Sequence, residues 1–501
     1  MINLKLFKLP VNMGNKVRKH LYDRRKEFLE MELKLFANEL RRYFAKEGIE
    51  QIARKTKFVK RKSKLDAWQM LRLCAFESAD VAKDTLVKLS TKVSKNNNQA
   101  ISKQGLDQRF NENCVKFLKS VFQQLLKNRL SSQTIIQSNL SFNRIRILDA
   151  TSFQVPDNYA EKYPGSGGCA NTAGLKIQLE YELKSGKIIN MQSGAGSNSD
   201  SKFATETRNT IKKDDLIIRD LGYFSIDSFK NIEENRAFYI SRLKPNIATY
   251  IKNPYPEYCR NGSIKKSTLF IRIDLKEVMN EMEYGEMKEF KEIYIGREEK
   301  YKTRMIIYKL TEKQLYERQV KTVKTAKKKG ITKSQNTISL LGITTYITNI
   351  PSELYDLEKI YEIYTLRWNI EIIFKVWKSI YHVDKLKKVK LERFECQLYG
   401  KLILILVSST MLFKFRKIVA VSKNKEVSEI QLAQVINEFI KEFYTSTIKA
   451  FEKTFNIILC IYELAYKNTI KPRKKGEKTP FDIIGVVFDS QVIGKEIGKI
   501  A

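Results

Sequence analysis

The chain has 501 residues, which is too long for one compact core and predicts two to four domains. Its 92 Lys and Arg residues outnumber its 56 Asp and Glu residues, and the net charge of +36 makes a polyanion such as nucleic acid the expected partner. The longest apolar run, 402–413, is too short to cross a bilayer, which argues against a membrane protein.

The cysteines and histidines narrow the possible chemistry. Six cysteines stand far apart and form no Cys-x-x-Cys pair, so neither a zinc site nor a disulfide framework is expected, and a reducing cytoplasm fits. Only two histidines are present, which argues against catalysis by histidine. If the chain catalyses a reaction, we therefore expect it to use carboxylates and a metal.

Residues 1–140 are predicted to be helical and basic. Residues 17–44 have a helical pattern rich in Arg and Lys, and a second clear helical period runs over 102–130. Between them, the segment 54–64 (RKTKFVKRKSK) holds seven cations in eleven residues. This segment is interpreted either as a solvated basic loop or as a DNA-binding arm.

From residue 144 the pattern changes to that of strands. The strand RIRIL (144–148) ends in Asp149, and the strand 216–219 ends in Asp220. Asp214 and Asp215, at the start of this second strand, are interpreted as turn residues. The remaining predicted elements are a hairpin of strands 175–183 and 188–192, helices 200–211 and 225–232, and a strand 237–243. This order predicts a mixed α/β fold, with a sheet flanked by helices.

Residues 246–345 interrupt this pattern and are predicted to form a β-rich insertion. Short alternating runs lie at 268–273, 290–295, 303–308 and 344–348. Between the last two lies a basic stretch, 321–333, which is interpreted as a flexible loop or as a DNA contact. Helical patterns follow from Pro351 to the end of the chain.

The segment 364–378 has the period of an amphipathic helix. At 100° per residue, four polar residues fall within an arc of about 60°: Tyr364, Arg367, Glu371 and Lys378. Apolar residues fall on the opposite side: Ile363, Leu366, Ile370, Ile373 and Trp377. The polar side is either a solvated face with an i,i+4 Arg–Glu pair or a site for a divalent metal beside a phosphate.

Two further carboxylates favour the metal site. Asp149 and Asp220 each follow a short apolar strand, and strands side by side in one sheet bring their carboxyl ends together. A helix packed on that sheet can add Glu371 as a third ligand. Taken alone, each Asp would be interpreted as a turn or cap residue. Three hard oxygen donors together, however, suit Mg²⁺ or Mn²⁺. Two such ions, about 4 Å apart, can activate a water or a 3′-hydroxyl for phosphodiester chemistry.

The chain resembles a known family at these residues. The DDE transposases of bacterial insertion sequences of the IS-four type carry the motif Y-x2-R-x3-E-x6-K, and its spacing is intact at Tyr364, Arg367, Glu371 and Lys378. The sequences LDAT around Asp149 and RDLGYF around Asp220 are similar to the first and second acidic motifs of the family. GLDQRFN (105–111) resembles its N-terminal helical region, so the resemblance covers residues from about 100 to 395.

The resemblance implies a domain organisation. The catalytic core would be RNase H-like, formed by 141–245 and 346–390 and split by the β-rich insertion 246–345. It would be flanked by a helical region that binds DNA ends, 1–140, and by a helical C-terminal region for dimerisation or DNA contact, 391–501.

The resemblance also implies an activity. The chain would be a DNA transposase that moves an insertion sequence by cut-and-paste, using two Mg²⁺ or Mn²⁺ ions held by Asp149, Asp220 and Glu371. Its partners would be double-stranded DNA, as terminal inverted repeats and target, and a second copy of the chain in a synaptic complex. It would work at the bacterial nucleoid in the cytoplasm. The DNA-binding residues would be Tyr364, Arg367 and Lys378, assisted by Lys375.

One departure from the family pattern concerns the hairpin intermediate. Some relatives use a Trp on the strand before the motif tyrosine to stack a flipped base, whereas the strand 344–347 (TTYI) holds Tyr346 instead. Two alternative functions also stay open: an RNase H-fold DNA nuclease without strand transfer, and an inactive transposase-derived repressor that only binds DNA. The intact acidic triad argues against the repressor, and the insertion and the long helical flanks argue against the nuclease.

Overall fold

The computed structural model describes residues 15–61, 64–77, 84–97, 99–127, 138–167, 172–330, 332, 335–423, 425–472, 476 and 478–486. Both ends of the chain, together with residues 62–63 and parts of 331–334 in the two basic segments, lie outside this description. The described residues form two compact units. The first unit is drawn from 1–139, 150–198 and 369–501, and the second from 140–149 and 199–368.

Ten strands are present in the described chain: β1 (Arg144–Gln154), β2 (Gly174–Glu182), β3 (Ile188–Ala195), β4 (Asp215–Arg219), β5 (Phe238–Arg242), β6 (Thr249–Lys252), β7 (Phe270–Arg272), β8 (Met287–Ile295), β9 (Tyr301–Lys309) and β10 (Ile343–Thr348). The α-helices before β6 are α1 (Asn15–Tyr43), α2 (Lys46–Lys55), α3 (Ala67–Leu71), α4 (Leu86–Asn97), α5 (Lys103–Arg109), α6 (Glu112–Lys127), α7 (Asp200–Glu206) and α8 (Ile226–Glu234). Those after β6 are α9 (Leu275–Glu281), α10 (Glu312–Lys329), α11 (Gln335–Ser339), α12 (Leu357–Thr365), α13 (Trp368–Ser379), α14 (Leu391–Lys423), α15 (Glu429–Ser446), α16 (Phe451–Asn468) and α17 (Pro480–Ile484).

The second unit is built on a mixed sheet. Its strands lie in the order β1-β4-β5-β10-β9-β8-β6-β7. The first three are parallel, and every later pairing is antiparallel. All five residues of β4 are buried, as expected for a central parallel strand covered on both faces. The prediction of a mixed α/β fold with a large sheet is confirmed, and β1, β4 and β5 supply the parallel strands that an RNase H-like core requires.

A buried ion cluster fixes the pairing of β1 with β4. The carboxylate of Asp215 is fully buried and accepts hydrogen bonds from Arg144 Nε at 2.7 Å and Arg146 Nη1 at 3.0 Å. Asp215 also closes the turn that precedes β4, as expected, because its N–H donates to the carbonyl oxygen of Lys212 at 3.2 Å; the sequence did not predict that its carboxylate would contact two guanidinium groups. Asp214 does occupy a turn, with a left-handed φ of 59°.

The first unit is mainly helical. Tyr444 of α15 is fully buried in it and stacks on Trp68 and Phe76, with ring centroids 4.4 Å and 4.1 Å away. The helix α14 passes a π-helical turn, Arg72–Phe76, at Gly400, where an added Cβ would lie only 2.0 Å from the carbonyl oxygen of Cys74. The two backbones can approach this closely only because residue 400 has no side chain.

Two differences from the expected elements bear on function. The basic stretch after β9, interpreted as a flexible loop or as a DNA contact, belongs largely to the helix α10 and is not a loop there. The amphipathic segment 364–378 is two helices, because α12 ends at Thr365 and α13 begins at Trp368. At the break, the N–H groups of Leu366 and Arg367 donate to carbonyls three residues earlier, which is the tighter turn that often ends a helix. No helix of the described chain is long and apolar enough to span a membrane.

Candidate catalytic site

Asp149 and Asp220 lie at neighbouring positions of two parallel strands of the second unit. The last aligned pair between β1 and β4 is Leu148 with Arg219; Asp149 is the next residue of β1, and Asp220 directly follows the end of β4. Paired strands lie about 4.8 Å apart, which brings the two backbones close at this point. The expectation that β1 ends before Asp149 is wrong, because the strand continues to Gln154 and Asp149 lies within it.

A buried phenol lies among the acidic groups. Tyr223, in a short helical turn directly after Asp220, is only 2% exposed, and its hydroxyl has no hydrogen-bond partner among the described residues. Burial raises the pKa of Tyr223, and the carboxylates of Asp200, Asp149 and Asp220 raise this pKa further, against the opposing effect of Arg219. Three carboxylates therefore act on one phenol.

Asp200 is the acidic residue that the sequence analysis did not select. It is the first residue of α7, whose Phe203 and Ala204 pack with Leu148 and Tyr223. A Cβ added to Gly222 would lie 3.4 Å from Asp200 Oδ2, so this carboxylate borders the turn that follows Asp220. Sequence spacing gives no signal for Asp200, because its position depends on how α7 folds back onto β1.

Arg367 and Tyr364 also lie near the aspartates. Arg367 Nη1 is 3.5 Å from Asp149 Oδ2, and its guanidinium lies over the ring of Trp368, 5.1 Å from the centroid. Tyr364 is buried, and its hydroxyl has no hydrogen-bond partner among the described residues. Burial raises the pKa of Tyr364; Asp220 adds to this effect and Arg367 opposes it. The second unit thus brings together two carboxylates, a guanidinium and a buried phenol.

Tyr346, the residue in place of the stacking Trp, is also buried. Its ring centroid lies 4.7 Å from that of Tyr364 and 5.9 Å from that of Tyr361. Two neighbouring tyrosines therefore cover this ring, and a base could stack on it only after they move.

Glu371, Lys375 and Lys378 belong to the first unit. All three lie on α13, with Glu371 half-buried in its first turn and Lys375 exposed. Lys378 Nζ donates to the carbonyl oxygen of Ser152 at 3.2 Å. Trp377 on the same helix is fully buried, in line with the apolar side predicted for it.

The oxygen donors suit a hard divalent cation, because carboxylates are the ligands that Mg²⁺ and Mn²⁺ prefer. Within the residues that the structure describes, no three His, Cys, Asp or Glu side chains are close enough to hold one ion together. Asp149 is in contact with Arg367. The assignment of Asp149, Asp220 and Glu371 as metal ligands therefore stays a prediction.

Comparisons with known proteins identify the family. A family model described as "Transposase DDE domain" matches residues 140–407. The transposase for insertion sequence element IS231E of Bacillus thuringiensis subsp. finitimus is 44% identical over 463 residues, which cover 92% of this chain and 97% of that one. The transposase for insertion sequence element IS1151 of Clostridium perfringens is 35% identical over 464 residues, which cover 92% and 98%. A solved piggyBac transposase synaptic complex with hairpin DNA aligns with a TM-score of 0.42 and 11% identity, over 89% of this chain and 86% of that chain. The resemblance inferred from the motifs is confirmed, and the chain belongs to the DDE transposase family.

Proposed function

We propose that this chain is a DNA transposase that cuts an insertion sequence at its ends and joins these ends to target DNA, in a reaction that depends on a divalent metal. The observation that carries the proposal is the position of Asp149 and Asp220, each directly after the last aligned pair of β1 and β4, with the guanidinium of Arg367 beside Asp149. Carboxylates for a metal next to a cation for a phosphate are the groups that phosphodiester cleavage needs.

The acidic residues have one role in this proposal. Asp149, Asp220 and Glu371 would hold the divalent cations, two Mg²⁺ or Mn²⁺ ions. Such ions activate a water or a 3′-hydroxyl and stabilise the leaving oxygen of the phosphodiester. The carboxylates act as ligands in their ionised form, so no proton transfer is assigned to them.

The cations and the phenol would position the DNA strand. Arg367 can exchange its 3.5 Å contact with Asp149 for two charge-assisted hydrogen bonds to a phosphate. Tyr364 would donate its hydroxyl to the same phosphate, which gives a buried donor a partner. Lys375 and Lys378 would neutralise the neighbouring phosphates of the transferred strand.

The assembled reaction would involve more than one chain. Its substrates would be double-stranded DNA bearing terminal inverted repeats and a target duplex at the bacterial nucleoid in the cytoplasm. A homodimer would hold the two element ends in the synaptic complex. The net charge of +36 supports binding to the phosphate backbones of several duplexes.

The test is a cleavage and joining assay with the purified protein. Its substrates are duplexes that carry the inverted repeats flanking the reading frame, together with Mg²⁺ and a supercoiled target. We expect the wild type to cut and join these ends, and Asp220→Asn or Glu371→Gln to bind them without cutting. Asp214→Asn is the matched control, because it makes the same chemical change six residues before Asp220 and Asn tolerates the left-handed backbone there.

The alternatives predict different products. A nuclease without strand transfer would cut the ends and never join them to the target. A repressor would bind the ends and leave them intact at every Mg²⁺ concentration. Cutting by Glu371→Gln at the wild-type rate would show that the role assigned to this residue is wrong.

A further inference from the structure

The helix α10 of the insertion is a well-formed element. Thr311 and Gln314 form a reciprocal capping box at its start, with hydrogen bonds of 3.3 Å and 3.0 Å. Gly330 ends it in the left-handed conformation that commonly terminates helices. A segment this rich in lysine is therefore held in one conformation rather than left as a loop.

Arg318 attaches α10 to the sheet of the second unit. Its guanidinium donates to the carbonyl oxygens of Leu341 and Ile343 at 3.2 Å and 2.9 Å, and to Thr344 Oγ1 at 2.8 Å. These bonds fix the helix against the beginning of β10. The sheet therefore holds the exposed side of α10 in a fixed position.

The attachment point is close to the candidate catalytic residues. Burial lowers the pKa of Arg318, with a further lowering from Arg242 and an opposing effect of Tyr346, so these groups are neighbours. Tyr346 in turn lies against Tyr364, with 4.7 Å between ring centroids. A strand bound at Tyr364 would therefore lie near the base of α10.

The outer side of α10 is a row of lysines. Lys313, Lys321, Lys324 and Lys327 are all exposed, and helical geometry places them within an arc of about 120°. No described carboxylate forms an ion pair with any of these four ammonium groups. None of the described side chains between residues 312 and 327 is fully buried, so the helix is partly covered on the side of Arg318 and open to solvent on the side of the lysines.

Two apolar side chains lie beside these lysines. Tyr316 is 68% exposed and Val323 is 66% exposed, one above the other on the same flank. Singly exposed apolar residues are common on protein surfaces. A partner that covers this side of the helix would shield both of them from water.

The spacing of the lysines matches a phosphate backbone. Lys321 to Lys327 extends about 9 Å along the helix axis, and three successive phosphates of one strand span about 7 Å along a duplex. We propose that α10 is a docking surface for the phosphate backbone of duplex DNA, contacted without regard to sequence through Lys321, Lys324 and Lys327. This inference rests on the proposed function, which already places DNA beside the same unit.

The test measures the salt dependence of DNA binding by fluorescence anisotropy. Replacing Lys321, Lys324 and Lys327 by Gln removes three phosphate contacts and keeps a good helix former at each position. We expect the slope of log K against log salt to fall by about 2.7 units, equally for a terminal-repeat duplex and a scrambled duplex. Circular dichroism of the full chain checks that the variant remains folded.

A matched triple variant provides the control. Lys266, Lys276 and Lys291 are exposed lysines elsewhere in the insertion, and replacing them by Gln changes the net charge by the same amount. This control should retain the wild-type slope. An unchanged slope in the α10 variant, or an equal fall in both variants, would overturn the inference. Failure of the wild type to cut element ends would instead count against the proposed function, because the slope is measured independently of cleavage.

Discussion

Replacing Asp215 with Asn should loosen the core of the second unit. Asp215 and Arg146 are 0% and 1% exposed, and the carboxylate also accepts the backbone N–H of Lys212 at 2.8 Å. Asn keeps the size of the side chain but removes the negative charge that both guanidinium groups contact. Removing one partner of a buried ion pair costs about 3–5 kcal/mol, since the remaining charge stays buried with less compensation.

Hydrogen exchange of the β1 and β4 amides is the appropriate measurement, because a chain with two units does not unfold in one step. A loss of about 3–5 kcal/mol corresponds to exchange that is faster by roughly two to three and a half orders of magnitude. Peptides from the first unit serve as the internal reference. They should exchange at the wild-type rate.

The control is Asp214→Asn, at the adjacent turn residue, for which a change within about 0.5 kcal/mol is expected. If Asp215→Asn leaves β1 and β4 protected to within threefold of the wild type, the carboxylate does not hold these strands together. The reasoning that links Asp215 to the alignment of Asp149 and Asp220 would then be refuted.

Three further predictions concern DNA, metal and pH. Arg367→Ala should weaken DNA binding and reduce its salt slope by about one unit, and an unchanged slope would mean that Arg367 contacts no phosphate. Asp200→Asn removes a negative charge next to the acidic site. Both the Mg²⁺ concentration for half-maximal cleavage and the Mn²⁺ dissociation constant measured by calorimetry should therefore rise roughly threefold. Equal values for the variant and the wild type would exclude an electrostatic role of Asp200. Burial alone would raise the pKa of Glu429, but Arg416 at 3.0 Å and Lys471 at 2.7 Å hold this pKa below its ordinary value of 4.5. These two ion pairs therefore stabilise the fold above about pH 4.5 and lose this effect as the pH falls through the lowered pKa of Glu429. Thermal melts should show Glu429→Gln less stable than the wild type at pH 7 and nearly equal to it in acid.

Elements with a strong local signal could be predicted from the sequence. The strands β4, β5 and β10 are short apolar runs between polar turns, and they lie within one or two residues of their expected positions. The sequence also singled out Asp149, Asp220, Tyr364 and Arg367 as candidates, because they stand in recognisable local sequence, and their roles stay predictions. The closeness of Asp149 to Asp220 follows from the parallel pairing of β1 with β4, which a sequence pattern can suggest.

Features that depend on tertiary contacts could not be predicted. Asp215 resembles a turn residue until two arginines from β1 surround it. The break after Thr365 is invisible because apolar residues continue with a helical period on both sides of it. In α10, repulsion between lysines favours a loop locally, whereas the capping box and the Arg318 bonds favour the helix.

The contact at Gly400 has a consequence for judging whether copies of such a gene still work. Even alanine at this position would force the carbonyl of Cys74 away from α14, since the added carbon has no room. A copy could keep every acidic residue and every motif lysine and still be silenced by this one methyl group. Checking which residue each genomic copy encodes at position 400 would separate intact genes from inactive ones. A search for the active-site motifs alone would count those inactive genes as intact.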